Sequence, residues 1–151
     1  MIQRFVKLFL DGGPVMWPIL VLSLIGLALI VERFFTFSAF FRAPVTTAVS
    51  PQAELNRLQR GFGLISTIIT AEPMLGILGT VTGIIQTFGS FKLSETASPL
   101  VATAGIGEAL ITTAAGLVAT LILIFPYNYL LARLAQAAAR LEEAEAPRAQ
   151  T

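Results

Sequence analysis

The chain contains no cysteine and no histidine. Their absence removes disulfides, thiol nucleophiles, imidazole bases and most transition-metal sites together. Aspartate occurs once, at Asp11, and charged residues are only 13% of the composition. The net charge of +1 comes without any basic run, so nothing points to nucleic acid. Chemistry would have to rest on carboxylates, hydroxyls, lysine or arginine, which makes an ordinary hydrolase or redox enzyme improbable. The reading is a non-enzyme without cofactor. Apolar residues are abundant instead. With 55% hydrophobic residues and a mean hydropathy of +0.79, the composition is that of a membrane protein rather than a soluble domain.

Gaps between charges delimit three spans. Residues 12–31 are uncharged and closed by Glu32-Arg33; the interval from Arg60 to Lys92 is broken only by Glu72; residues 96–132 contain only Glu108. Each exceeds or meets the roughly 20 apolar residues that cross a bilayer as helix. The first is too long for a cleavable signal, and no cleavage site precedes a polar region. Residues 1–11 read as a short amphipathic interfacial helix, with Phe5, Leu8 and Phe9 on one face and Arg4 and Lys7 beside it. Gly12-Gly13-Pro14 breaks it, and Trp17 sits at interfacial depth. The expected organisation is therefore all-α: interfacial helix 1–11, transmembrane helices 12–32, 61–92 and 99–132, a short cytoplasmic segment 33–60, a periplasmic turn 93–98 and a cytoplasmic tail 133–151. Ser50-Pro51 and Ser98-Pro99 each supply a cap and a proline at a helix start. From Pro51 a helix could run on into the second span, with Pro73 expected to kink it. An N-terminus outside the cell places Arg33, Arg42, Arg57, Arg60, Arg133, Arg140 and Arg148 inside and leaves Arg4, Lys7 and Lys92 outside, which satisfies the positive-inside rule.

The short outer turn makes the second and third spans an antiparallel hairpin. A pivot near Thr96 and Ala97 sets Thr80 level with Thr113, and a seven-residue step puts Thr87 on the face of Thr80 and Thr120 on the face of Thr113. A hydroxyl donates and accepts, which suits relaying a proton or solvating an ion. Equally, threonines in membrane helices bond their own backbone or glue neighbouring helices. Gly76, Gly79, Gly83 and Gly116 are small-residue positions for close helix packing.

A carboxylate inside a membrane is expensive and marks a functional hypothesis. Glu108 lies about 40° from Thr112 on the helical wheel but about 140° from Thr113. If Thr113 faces a central path, Glu108 faces a neighbouring helix or subunit, so an assembly role stands ahead of carrying ions. Glu72, beside Pro73, is either a hydrated kink carboxylate or part of an ion exit path.

Leu75-Gly76-Ile77-Leu78-Gly79-Thr80-Val81-Thr82-Gly83-Ile84, followed by Gly105-Ile106-Gly107-Glu108-Ala109-Leu110-Ile111-Thr112-Thr113-Ala114-Ala115-Gly116-Leu117, strongly resembles the MotA/TolQ/ExbB proton-channel family. Asn56-Arg57-Leu58-Gln59-Arg60-Gly61 and Pro126-Tyr127-Asn128 resemble its ExbB and TolQ branch. The resemblance implies a homo-oligomeric ring, a pentamer, in the bacterial inner membrane. The ring would surround single-span ExbD- or TolR-like partners whose helix carries the mobile aspartate, and a TonB- or TolA-like effector would lie beyond. It implies that Thr80 and Thr113 face the partner and that Glu108 is the glutamate of the second motif. The carried ion would be H+ or Na+. The interval 33–60 is shorter than in typical ExbB and far shorter than in flagellar stators, which disfavours a stator. Because Asp11 lies outside the spans, the mobile carboxylate is expected from a separate protein. The expected function is the ring subunit of an ExbB/TolQ-like channel that turns ion motive force into movement of its partner. The rivals are a sodium-driven or MotA-like motor and a non-conducting scaffold.

Overall fold

The computed structural model describes residues 3, 9, 12–42, 50–93 and 99–145. The expected interfacial helix lies outside the described residues apart from Gln3 and Phe9, as do the end of the tail and the expected turn 93–98 apart from Leu93, which closes a helix instead. Four helices lie wholly within the described residues: α1 (Met16–Arg42), α2 (Pro51–Gln59), α3 (Phe62–Leu93) and α4 (Pro99–Glu145). No strand occurs among the described residues. Three of the helices are long and apolar enough to cross a membrane. α1 continues beyond the first charge pair to Arg42, and α4 passes through Pro126 without ending.

Packing follows a spacing of three and four residues. Buried positions on α1 are Met16, Ile19, Gly26, Ile30, Arg33 and Phe37. On α4 they include Ala109, Thr112, Gly116, Ala119, Leu123, Leu130 and Ala137. This alternation keeps one seam of each helix against its neighbours, as in coiled-coil packing. The opposite faces are apolar and uncovered: Leu24 is 59% exposed, Phe88 64% and Phe125 72%. A soluble monomer rarely exposes so much apolar surface. In hydrocarbon that surface carries no penalty, and association depends on close packing and hydrogen bonds instead.

The two halves of the bundle are held differently. Around α2 and the adjoining ends of the long helices, large side chains form the core: Ile30, Phe37, Leu58, Phe62, Ile65, Leu123 and Leu130. At this end Arg133 stacks over Phe41, 4.9 Å from the ring centroid, and Arg140 lies over Phe40 at 5.8 Å. These cation–π contacts tie the extension of α1 to α4. Toward the other end, glycines and threonines replace the large side chains.

A helix running unbroken from Pro51 into the membrane is not what forms. α2 stops at Gln59, and Gly61 takes φ +80° before α3 begins. Arg33, buried on α1, donates from Nη1 to the Arg57 carbonyl at 3.2 Å and satisfies one acceptor at the end of α2. A Cβ at Gly61 would meet nothing closer than Arg33 Nε at 4.0 Å, so only backbone strain opposes a side chain there. Gly61→Ala should therefore cost about 1–2 kcal/mol, the usual cost of a left-handed L-residue. Thermal unfolding in detergent should show it as a lowered midpoint.

Candidate functional site

α3 and α4 make the most extensive contact in the molecule, and glycines set its closeness. A Cβ at Gly116 would lie 2.6 Å from the Glu72 carbonyl oxygen, and one at Gly76 would lie 3.1 Å from Thr113 Cα. At Gly83 it would press on the Ala109 methyl at 2.9 Å, and at Gly79 it would overlap the Thr112 side chain. All four glycines thus let α4 approach the backbone of α3. Gly105 does the same for Thr87, whose hydroxyl occupies the space a Cβ would need.

With the backbones in contact, short hydroxylated side chains span the seam. Thr113 Oγ1 donates to the Gly76 carbonyl at 2.8 Å, and it lies 3.0 Å from Thr80 Oγ1. Thr80 Oγ1 is also 2.8 Å from the Ile77 carbonyl and 3.3 Å from that of Gly76. Each hydroxyl has one hydrogen. Either Thr80 donates to Thr113 while Thr113 donates to Gly76, or Thr113 donates to Thr80 while Thr80 bonds its own helix. The pair therefore has two hydrogen-bond arrangements, each of which uses both hydrogens internally and leaves oxygen lone pairs as acceptors; donating to an outside group requires one hydroxyl to give up a bond to the α3 backbone. Both threonines are partly buried, so the pair opens at the surface of this three-helix unit.

The remaining threonines are placed differently. Thr87 is buried and donates to the Gly83 carbonyl at 2.8 Å. Thr120 crosses the seam to the Ile69 carbonyl at 3.3 Å. Glu108 lies on α4, with its side chain outside the described residues. Glu72 is fully buried, with its Oε1 2.8 Å from Ser23 Oγ of α1. Thr112, 1% exposed, donates to the Gly12 carbonyl at 2.7 Å. Sequence reasoning missed Ser23 and this use of Thr112. Both are hydroxyls in apolar runs, but periodicity does not say which distant segment a hydroxyl meets. Among the described residues no cluster of metal-ligating side chains occurs.

Three long apolar helices, closely packed through glycines and carrying hydroxyls across the seam, define a multi-pass helical membrane protein. The chain belongs to the MotA/TolQ/ExbB proton channel family, whose sequence profile matches residues 40–143. The ExbB-like 1 biopolymer transport protein of Synechocystis sp. is 31% identical over 88% of this chain and 73% of its own length. Biopolymer transport protein ExbB of Pseudomonas putida is 35% identical over 59% of this chain and 27% of its own length. Tol-Pal system protein TolQ of Haemophilus influenzae is 33% identical over 54% and 36%. The chain thus spans well under half of the ExbB and TolQ proteins it matches there. The family is one of transport rather than catalysis, and ExbB and TolQ mark the branch.

Proposed function

We propose that this chain is the ring subunit of an ExbB/TolQ-like proton channel. In this reading copies assemble as a homo-oligomeric ring, a pentamer, in the bacterial inner membrane, with the N-terminus outside and the C-terminus in the cytoplasm. The ring encloses an ExbD- or TolR-like single-span protein whose intramembrane aspartate binds and releases the ion. Ion motive force, about 2.3 kcal/mol per charge per 100 mV, moves or rotates that partner and drives a TonB- or TolA-like effector. The observation that carries the reading is the partly buried Thr80–Thr113 pair, with oxygens 3.0 Å apart. A charged partner aspartate is costly in hydrocarbon, and a threonine that exchanges its backbone carbonyl for the carboxylate as acceptor lowers that cost; protonation then frees the partner to move. Glu108 belongs in this scheme to the seam between subunits.

One observation favours the scaffold reading: Thr80 also reaches its own helix at Ile77. The two readings differ in what Thr113 faces. Because the chain has no cysteine, Thr113→Cys creates a single thiol. A photo-crosslinker attached there in native membranes should join the chain to a small single-span protein with an intramembrane aspartate, identified by mass spectrometry. Adducts only to lipid or to further copies of this chain would reject the central-partner reading.

A further inference from the structure

We propose that Glu72 is a proton-binding site, a buried carboxylic acid whose proton is held against Ser23 and exchanges during transport. Counting hydrogens carries this. Ser23 Oγ lies 2.8 Å from the Ile19 carbonyl and 2.8 Å from Glu72 Oε1. The serine has one hydrogen and both neighbours are acceptors when Glu72 is ionised. Both contacts are full two-centre hydrogen bonds at once only if Ser23 donates to Ile19 and Glu72 carries a proton that it donates to Ser23 Oγ. The other carboxyl oxygen, Oε2, is buried and has no hydrogen-bond partner, a costly position for a carboxylate oxygen and a tolerable one for a neutral acid.

The Glu72 carboxyl meets Ser23 from α1 and faces Thr120 of α4, whose hydrogen goes to the Ile69 carbonyl at 3.3 Å. Among the described residues, neither ion pair involves Glu72. Ser23 also forms part of the wall of an otherwise apolar groove of about 450 Å³ between α1 and α4, so one side of the Ser23–Glu72 link opens outside the sealed seam. Glu72 sits eight residues from Thr80 on α3, a rise of about 12 Å. It is thus a second station on the same helix as the threonine pair. Proton occupancy lets Ser23 bond Ile19 and Glu72 together; loss of the proton leaves its one hydrogen to serve two acceptors, so one of the two contacts weakens. The role in transport rests on the proposed ion-conducting function, whereas proton occupancy itself does not.

Infrared spectroscopy of the complete protein in its purified complex tests occupancy. The carbonyl stretch of a protonated carboxyl should be present at neutral pH, shift in D2O, fade as pH rises, and be missing from Glu72→Gln. The Gln variant should fold normally, because its amide can donate to Ser23 as the acid does. Ion flux in vesicles should nevertheless fall by about a hundredfold, the scale for losing a positioned proton carrier. A spectrum unchanged by Glu72→Gln, a band that does not shift in D2O, or wild-type flux in that variant overturns the inference. A band abolished by Na+ at fixed pH also overturns it, in favour of a sodium site. None of these outcomes bears on the threonine pair, so failure here is separable from failure of the proposed function.

Discussion

Replacing Thr80 and Thr113 together by valine should abolish ion-coupled work while leaving the three-helix unit folded. Valine keeps the branched shape and removes only the hydroxyls, and removing both partners of a hydrogen bond is far less costly than orphaning one. The Gly76 carbonyl that loses Thr113 as a donor still has its place in the α3 backbone ladder. What disappears is the partly buried hydroxyl pair, which can accept and can exchange a backbone carbonyl for another acceptor. If that group stabilises a partner aspartate or passes a proton, flux and the work coupled to it should fall by about a hundredfold or more. Flux is read with a pH-sensitive dye in vesicles holding the purified complex, and folding by thermal unfolding of the same samples. A parallel sodium-sensitive dye separates H+ from Na+. Wild-type flux from a folded double variant would mean that the threonines only pack helices.

The second large effect is expected at Gly116. Alanine alone puts a Cβ 2.6 Å from the Glu72 carbonyl oxygen and 3.2 Å from Gly76 Cα. Both are backbone atoms that cannot rotate away, so α3 and α4 must separate. Overpacking of this kind costs about 1–3 kcal/mol, and Gly116→Leu should exceed that range. Separation also withdraws Thr113 from Thr80 and Gly76, so a fraction that still folds should lose coupled function. The control is Gly63→Ala, where a Cβ meets nothing within 4 Å and stability should hold or rise, since alanine is the better helix former. Thermal unfolding and size-exclusion profiles of the two variants in one detergent measure the contrast. Equal stability would show that the hairpin does not depend on backbone contact at Gly116.

Thr80 and Thr113 show how far one-dimensional information reaches. A short turn between two helices fixes which residues are level, so the pairing of these threonines across the hairpin could be read before any coordinates. Glycines at steps of three and four on the same stretch announced close packing for the same reason: helix periodicity is a local property. The break at Gly61 was less legible. Its glycine is visible in the sequence, but the donor that helps close α2, Arg33, comes from another helix and could not be assigned from spacing.

Ser23 and Glu72 are 49 positions apart, and Thr112 and Gly12 are 100 apart. Their meeting depends on how α1 is rotated and seated against the hairpin. Apolar faces in hydrocarbon constrain that rotation weakly, since lipid and side chains are equally apolar. The sequence by itself determined the number of long apolar helices, the family and the register of the α3–α4 hairpin, because charge gaps, motifs and a short turn are written along the chain. Only the tertiary structure decided that α1 brings Ser23 to Glu72, because that contact depends on the packing of separate helices.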